Sequence, residues 1–147
     1  PMGLPNHDGK LIDVICTALP DLSTRQWWDK LSMTFTSYEP YFYSDTEKTG
    51  ACGSPITVEG TAKPLMQITR TLAAKSTNQS YGDGTHTMTF SEIPAGDLVI
   101  DLNRQTAAVG SSSIMPFYSY NSSFIFPRTG TYTITGTGTV KWRERWE

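Results

Sequence analysis

The feature that most constrains the fold is a strict alternation of two kinds of residue over positions 131–142. Every second residue there is aromatic, aliphatic or glycine, and the residues between them are threonine until a lysine ends the series. Side chains alternate between the two faces of a β-strand, so this spacing predicts a long strand with one buried face. Its two glycines suggest a bulge or the close approach of another backbone. The predicted buried residues are Tyr132, Ile134, Gly136, Gly138, Val140 and Trp142.

Composition supports a β protein and excludes several partners. Of the 147 residues, 21 are threonine and 14 are serine, and β-branched threonine favours strands over helices. The net charge of -2 offers no electrostatic footprint for nucleic acid. No apolar run approaches the ~18 residues of a membrane span, so we expect neither nucleic acid nor membrane as a partner. Cys16 and Cys52 are too few for a disulfide framework and are expected to be free thiols, although one bridge is geometrically possible.

Shorter alternating stretches predict the other strands, for a total of nine or ten. Turn signals rich in glycine and proline separate them at 81–84, 94–97 and 127–130. The predicted strands lie at 10–17, 26–37, 56–59, 65–71, 85–92, 97–102, 105–109 and 123–126.

A polar, glycine-containing stretch without alternation indicates a boundary near residues 44–55. The two or three strands before it are too few for an independent sheet, whereas the strands after it suit a β-sandwich. We therefore predict an antiparallel β-sandwich at 56–147, a linker at 46–55, and a short β segment of a separate unit at 1–45. That segment would pack on the sandwich, on another chain, or on an N-terminal portion outside this chain.

The residues needed for catalysis are not arranged for it. His7 and His86 lie far apart without metal-ligand spacing, and the chain has neither a Gly-x-Ser-x-Gly elbow nor a phosphate-binding glycine loop. Glu39 and Asp97 could be imagined as a catalytic carboxylate pair, but nothing in the sequence fixes them together. We therefore predict no catalytic residue, no metal, no cofactor and no enzymatic activity.

Aromatic residues cluster at positions 38–43, at 117–120 and at the C-terminal end. They fit a sandwich core with polar tips at its rim, a protein–protein contact, or a platform for sugar rings. The end of the chain, Trp-Arg-Glu-Arg-Trp at 142–146, fits the protein contact best because tryptophan and arginine anchor interfaces.

Continuing the alternation through the C-terminal end places Glu144 and Trp146 on the core side. Lys141, Arg143 and Arg145 then share the other face, where like charges repel. Cross-strand acids such as Asp97, Asp101 or Glu92 would compensate them, or an acidic partner surface would. The candidate interface residues are Arg143, Arg145, Trp146, Tyr41 and Tyr43.

Three segments in order resemble the distal tail protein (Dit) family of long-tailed, non-contractile phages and prophages. They are Phe-Thr-Ser-Tyr-Glu-Pro-Tyr-Phe-Tyr at 35–43, Gly-Asp-Leu-Val-Ile-Asp at 96–101, and Arg-Glu-Arg-Trp at 143–146. The family usually shows "dPyfy", "gD.l.iD" and a final "w R. r W"; here Glu39 stands where the family usually has Asp. The resemblance covers about residues 10–147.

The resemblance implies a structural, non-enzymatic protein of the virion, assembled in the bacterial cytoplasm. Family members form a hexameric ring at the tip of the tail tube and join the tube to the receptor-binding or fibre apparatus. Their N-terminal domain builds the ring, and their C-terminal domain is a galectin-like β-sandwich. Residues 1–45 would be the closing strands of the ring-forming domain, and the expected partners are further copies of the chain and other tail proteins.

The galectin-like fold raises an alternative function, a carbohydrate-binding module for adhesion to the host surface. Sugar-binding galectins use a His-x-Asn-x-Arg strand with a nearby tryptophan and a Glu-Arg pair. That strand is absent, since Asp8 follows His7 and Thr87 follows His86. Arg143 and Glu144 beside Trp142 match the pair by composition only.

Overall fold

The computed structural model describes residues 2–3, 9–18 and 33–147. Within these ranges the secondary structure is almost entirely strand, with one 3₁₀ turn at Met115–Phe117 and no α-helix. The strands are β1 Met2–Gly3, β2 Lys10–Ile12, β3 Ile15–Ala18, β4 Thr34–Thr36, β5 Phe42–Ser44, β6 Lys48–Ala51, β7 Pro55–Val58, β8 Ala62–Leu72, β9 Ser76–Gly82, β10 Thr87–Ile93, β11 Gly96–Asp101, β12 Thr106–Val109, β13 Ser112–Ser113, β14 Gly130–Thr133 and β15 Thr139–Trp146.

Most of the strands form two packed layers, while β3 and β4 form a separate two-stranded sheet. Every strand pairing among the described residues is antiparallel. The larger sheet has the order β1-β2-β5-β15-β8-β11-β12-β13, and β6 also pairs with β15. The second layer contains the pairs β7–β14 and β9–β10, which a bridge between Gly82 and Thr135 connects. The predicted antiparallel β-sandwich is therefore confirmed.

The core lies between the layers, and strand alternation fills it. Along β8, burial alternates residue by residue from Ala62 to Ile68. The opposite layer contributes residues from β7, β9, β10 and β14 to the same cluster. Fully buried members of the cluster include Ile56, Met66, Ile68, Met88, Phe90, Leu98, Ile100 and Val140.

The long strand predicted at 131–142 is two strands that belong to different sheets. β14 pairs with β7, whereas β15 lies in the larger sheet. Between them Gly136 and Gly138 have φ angles of 125° and 137°, which L-residues rarely adopt. The prediction of a continuous strand was wrong because the glycines turn the chain from one layer to the other. The buried face was predicted correctly for Tyr132, Ile134, Val140 and Trp142.

The segment predicted as a linker, 46–55, contains strand β6, which pairs with β15. Its four residues, Lys48–Ala51, show no apolar alternation, so the pattern there does not predict a strand. The division of the chain into two units at this point stays a prediction. The predicted strand at 10–17 is two short strands, β2 and β3.

Two further predictions differ from the structure. Residues 123–126 form no strand, although Phe124 and Ile125 are buried. β9 was missed because most of its side chains are hydroxyls and amides. Of the predicted strand at 26–37, β4 is described, and residues 26–32 lie outside the described ranges.

We expect Gly136→Ala to destabilise the protein by about 2–4 kcal/mol. A Cβ at Gly136 would lie 2.5 Å from Cδ1 of Tyr81, and the residue has a φ of 125°. The free energy of unfolding, measured by urea denaturation, checks this value.

Gly84→Ala is the matched control. Gly84 also has a positive φ, 87°, but nothing lies within 4 Å of a Cβ there. We expect it to cost only about 1 kcal/mol of backbone strain. Equal losses in the two variants would contradict the close packing of Gly136 on Tyr81.

Candidate functional site

Strand β15 joins the sandwich to β1, β2 and β5, which precede residue 45. One edge pairs with β8, while the other pairs with β6 along Thr139–Trp142 and then with β5 at Arg145 and Trp146. At the end of β15, Gly60 packs so closely on Arg145 that a Cβ would overlap the Arg145 carbonyl oxygen. The candidate interface residues are placed by this last part of β15 and by β5.

Arg145 stacks on two of the predicted aromatic residues. Its Cζ lies 3.7 Å from the ring centroid of Tyr41 and 5.4 Å from that of Tyr43. Tyr41 and Tyr43 are two residues apart, which puts both rings on one face of the extended segment. The buried Tyr43 is fixed in turn because its hydroxyl donates a hydrogen bond to the carboxylate of Glu39. These three predicted residues therefore contact one another within the chain.

The other two predicted residues flank this stack. Arg143 lies two positions before Arg145 and is half-buried on the same face. Trp146 pairs in register with Phe42, and Nζ of Lys10 lies 4.5 Å from the centroid of its ring. Strand alternation sets Trp146 on the face opposite Arg145.

A cleft of about 370 Å³ opens beside the Arg145 stack, and we call it the arginine cleft. Arg143 faces Leu65 in the β15–β8 register, which brings that leucine to the cleft. Arg104, in the turn after β11, completes a set of three guanidinium groups. Besides Tyr43 and Arg145, the cleft is lined by Leu11, Asp13, Glu39, Leu65, Arg104 and Arg143.

Sequence reasoning did not find Arg104 or Leu65 as site residues. Arg104 follows a strand that is separated from β15 by β8, so only the order of strands in the sheet places it near Arg143. The amide of Leu102 donates to the carbonyl of Met66 at 3.1 Å, which holds this turn against β8.

The acids suggested as cross-strand partners of the basic row bind other groups. Asp97 accepts the Thr71 hydroxyl, Asp101 accepts backbone amides of its own turn, and Glu92 pairs with Lys75. Lys141 instead approaches Glu47 at 3.9 Å. The suggested acids were wrong because sheet order, unknown from the sequence, decides which strands are neighbours.

Glu144 lies on the core side of β15, as predicted, and is only 2% exposed. Its Oε1 accepts a hydrogen bond from Nζ of Lys48 at 2.8 Å and from the backbone amide of Glu59 at 3.1 Å. Hydrogen bonds to Glu144 and Glu59 raise the pKa of Lys48, and the hydrogen bond from Lys48 lowers the pKa of Glu59. The buried charge is therefore neutralised by a residue that lies in the predicted linker.

Residues with catalytic or ligand-binding chemistry are dispersed in the described chain. No group of three or more His, Cys, Asp or Glu side chains in residues 2–3, 9–18 and 33–147 could hold a metal ion. Cys16 and Cys52 are free, and burial raises the pKa of the Cys52 thiol. His86 meets the edge of Phe126, with ring centroids 5.2 Å apart, whereas His7 lies outside the described residues.

A shallow groove on the outer face of the larger sheet bears on the carbohydrate alternative. Its lining includes the hydroxyl residues Thr69, Thr71 and Thr139, with Asp97 and Lys141. No aromatic ring is among the described residues that line it, so it lacks the stacking platform of a sugar site. Sugar binding stays a prediction.

Among the described residues, no helix is long and apolar enough to cross a bilayer.

We expect Arg145→Ala to lower the free energy of unfolding by about 1–2 kcal/mol, because the stack on Tyr41 and Tyr43 is lost. Amide hydrogen exchange of β5 should accelerate, while that of β11 stays unchanged. Arg143→Ala is the matched control on the same strand face and should cost under ~0.5 kcal/mol. Equal effects of the two substitutions would contradict the proposed role of the stack.

We expect Lys48→Met to destabilise the protein by about 2–4 kcal/mol, because the buried carboxylate of Glu144 loses its partner. Adding Glu144→Gln should recover at least half of that loss, since the Gln side-chain oxygen still accepts the amide of Glu59. Urea denaturation of both variants measures these changes. No recovery in the double variant would show that the loss arises from packing and not from the unpaired charge.

The same ion pair predicts a dependence on alkaline pH. Because the pKa of Lys48 is raised in the folded state, its stabilisation is complete below the usual value of 10.5 and is lost as pH rises through the folded pKa. The difference in stability between the wild type and the Lys48→Met variant should therefore shrink above pH 10.5. A difference that is constant up to about pH 12, which is about 1.5 units above that value, would contradict the pairing.

Comparison with known proteins identifies the fold. Models of protein families and curated proteins both give no match. Among solved structures, the chain is similar to SPP1 Dit (gp 19.1), described as a paradigm of the hub adsorption apparatus in phages that infect Gram-positive bacteria. The TM-score is 0.72 at 15% identity, over 95% of this chain and 62% of that chain. The chain thus spans less than two thirds of the SPP1 protein's length, and it has a Dit-like fold.

Proposed function

We propose that this chain is a structural protein of the phage tail tip that connects the tail tube to the receptor-binding or fibre apparatus. The observation that carries the proposal is the likeness to SPP1 Dit, a hub adsorption protein, over 95% of the chain. At that coverage the likeness includes strands before residue 45 as well as the sandwich. It therefore extends beyond the β-sandwich, an architecture that many unrelated proteins share.

The positions of the three resembling segments support the proposal. The first, 35–43, leads into β5; the second, 96–101, is β11; and the third, 143–146, ends β15. All three contribute strands to the larger sheet, and the first and third pair with each other. A match of short motifs that arose by chance would not require them to share one sheet.

In this proposal the protein acts by assembly and carries out no reaction. Residues 1–45 belong to a ring-forming unit, the full-length protein forms a hexamer, and the other partners are tail proteins of the virion. A closed ring uses head-to-tail contacts, which require two different patches on each subunit. In this proposal the strands β1, β2 and β5, which lie at one end of the larger sheet, belong to the ring-forming unit.

The location in the virion is tested by electron microscopy. Antibodies raised against this chain should decorate one end of the tail in negatively stained particles of the phage that encodes it. Serum preabsorbed with the purified chain is the control. Decoration of the capsid, or along the whole tail, would contradict a role at the tail tip.

The ring is tested separately with the full-length protein. Mass measurement at high concentration should give a hexamer, and micrographs should show closed rings. A protein that remains monomeric under these conditions contradicts the ring but leaves the location at the tail tip to the antibody experiment. A tape-measure gene upstream and a tail-fibre gene downstream would further support the assignment.

A further inference from the structure

The arginine cleft contains hydrogen-bond donors that have no acceptor in the described chain. Across residues 2–3, 9–18 and 33–147, no hydrogen bond or ion pair engages the guanidinium groups of Arg104, Arg143 and Arg145. The Nε of Arg145 is buried as well as unpartnered. A buried donor without an acceptor is unfavourable. An acceptor that enters the cleft would therefore remove a penalty that the isolated chain bears.

The stacking of Arg145 prepares it for such an acceptor. Its Cζ lies over the rings of Tyr41 and Tyr43, and the N–H donors of a guanidinium lie in the plane of the group. A carboxylate matches this planar fork and accepts two parallel hydrogen bonds from it. The aromatic contact therefore fixes the orientation of the group without using its hydrogen-bonding capacity.

The walls of the cleft limit the class of ligand. Two carboxylates, Asp13 and Glu39, lie beside the three guanidiniums, and Glu39 accepts the Tyr43 hydroxyl. These acids, together with a net charge of -2 for the chain, oppose a polyanion such as nucleic acid. The three guanidiniums exceed the two carboxylates by one positive charge, which a single carboxylate of a ligand would balance.

The cleft also has apolar wall surface. Leu65 is 40% exposed, and Leu11 is half-buried at the same opening. Apolar surface next to charge suits a peptide that carries an acidic and an aliphatic side chain side by side, and not a free inorganic anion.

We propose that the arginine cleft binds an acidic peptide segment of a partner protein, in which Asp or Glu lies next to an aliphatic residue. The carboxylates bind Arg104, Arg143 and Arg145, and the aliphatic side chain packs on Leu65 and Leu11. The inference rests on the proposed role as an assembly component. Peptide binding is measured on the isolated chain, so it fails or succeeds separately from the location of the protein in the virion.

The probe is a fluorescein-labelled peptide, Gly-Glu-Leu-Glu-Gly, with Gly-Gln-Leu-Gln-Gly as its neutral counterpart. By fluorescence anisotropy at low salt, the Glu peptide should bind about ten-fold more tightly than the Gln peptide. The double variant Arg104→Gln with Arg143→Gln should lose about ten-fold in affinity. The matched control, Lys63→Gln with Lys75→Gln, removes two exposed charges outside the cleft and should bind like the wild type.

Several results would overturn the proposal. Equal affinity for the two peptides, or equal losses in the two double variants, would show that the cleft does not recognise carboxylates. Melting curves establish that each variant is folded. If the arginine double variant is not folded, the single variant Arg143→Lys replaces it. This variant should weaken peptide binding about three-fold, because lysine keeps the positive charge but lacks the planar guanidinium fork. Self-association in sedimentation velocity that disappears with Arg143→Lys would assign the cleft to a second copy and overturn the peptide assignment.

Discussion

The pairing of one strand, β15, with three others is the constraint on which this structure depends. β8 occupies one edge of β15, and β6 followed by β5 occupies the other. Without β15, the strands β1, β2 and β5 would have no ladder to the sandwich in the described chain. Glu144 fixes the middle of this arrangement, because its buried carboxylate binds a lysine of β6 and the amide of Glu59. A buried charge with these partners stabilises one register and penalises every shifted one.

The sequence predicted burial better than connectivity. A period of two assigned the correct face to Tyr132, Ile134, Val140 and Trp142, because burial depends on which side of the backbone a residue occupies. Whether β14 and β15 form one continuous strand depends on the backbone conformation at Gly136 and Gly138. Glycine fits a strand and a turn alike, so the alternation pattern could not distinguish the two. The glycines did signal a close approach, and Tyr81 occupies the space that a Cβ at Gly136 would need. β6 and β9 carry polar side chains, so alternation could not reveal them.

The residues of the candidate site were predicted from their types, but most of their contacts with one another were not. Tyr41, Tyr43, Arg143 and Arg145 lie on strands or directly beside them, and their residue types indicated a contact surface. Their mutual stacking required the pairing of β5 with β15, which joins positions about a hundred residues apart. Predicting the roles of Arg104 and Lys48 would have required the order of strands in the sheet. Only that order brings the turn of Arg104 and the polar strand of Lys48 near β15. Long-range order is thus the information that local patterns lacked.

Under the proposed binding, one residue at the seam between β5 and β15 serves both folding and ligand recognition. The contact of the Arg145 guanidinium with the rings of Tyr41 and Tyr43 holds β5 and the segment before it against β15. Hydrogen bonding would use the edge of the guanidinium, where Nε has no acceptor among the described residues. The two interactions involve different parts of one planar group, so a bound carboxylate need not disrupt the stack. A ligand that binds the edge would instead restrict the arginine further and make the stack more persistent. Binding at the cleft would therefore stiffen the pairing of β5 with β15, which would suit the proposed role as a connector in the tail tip.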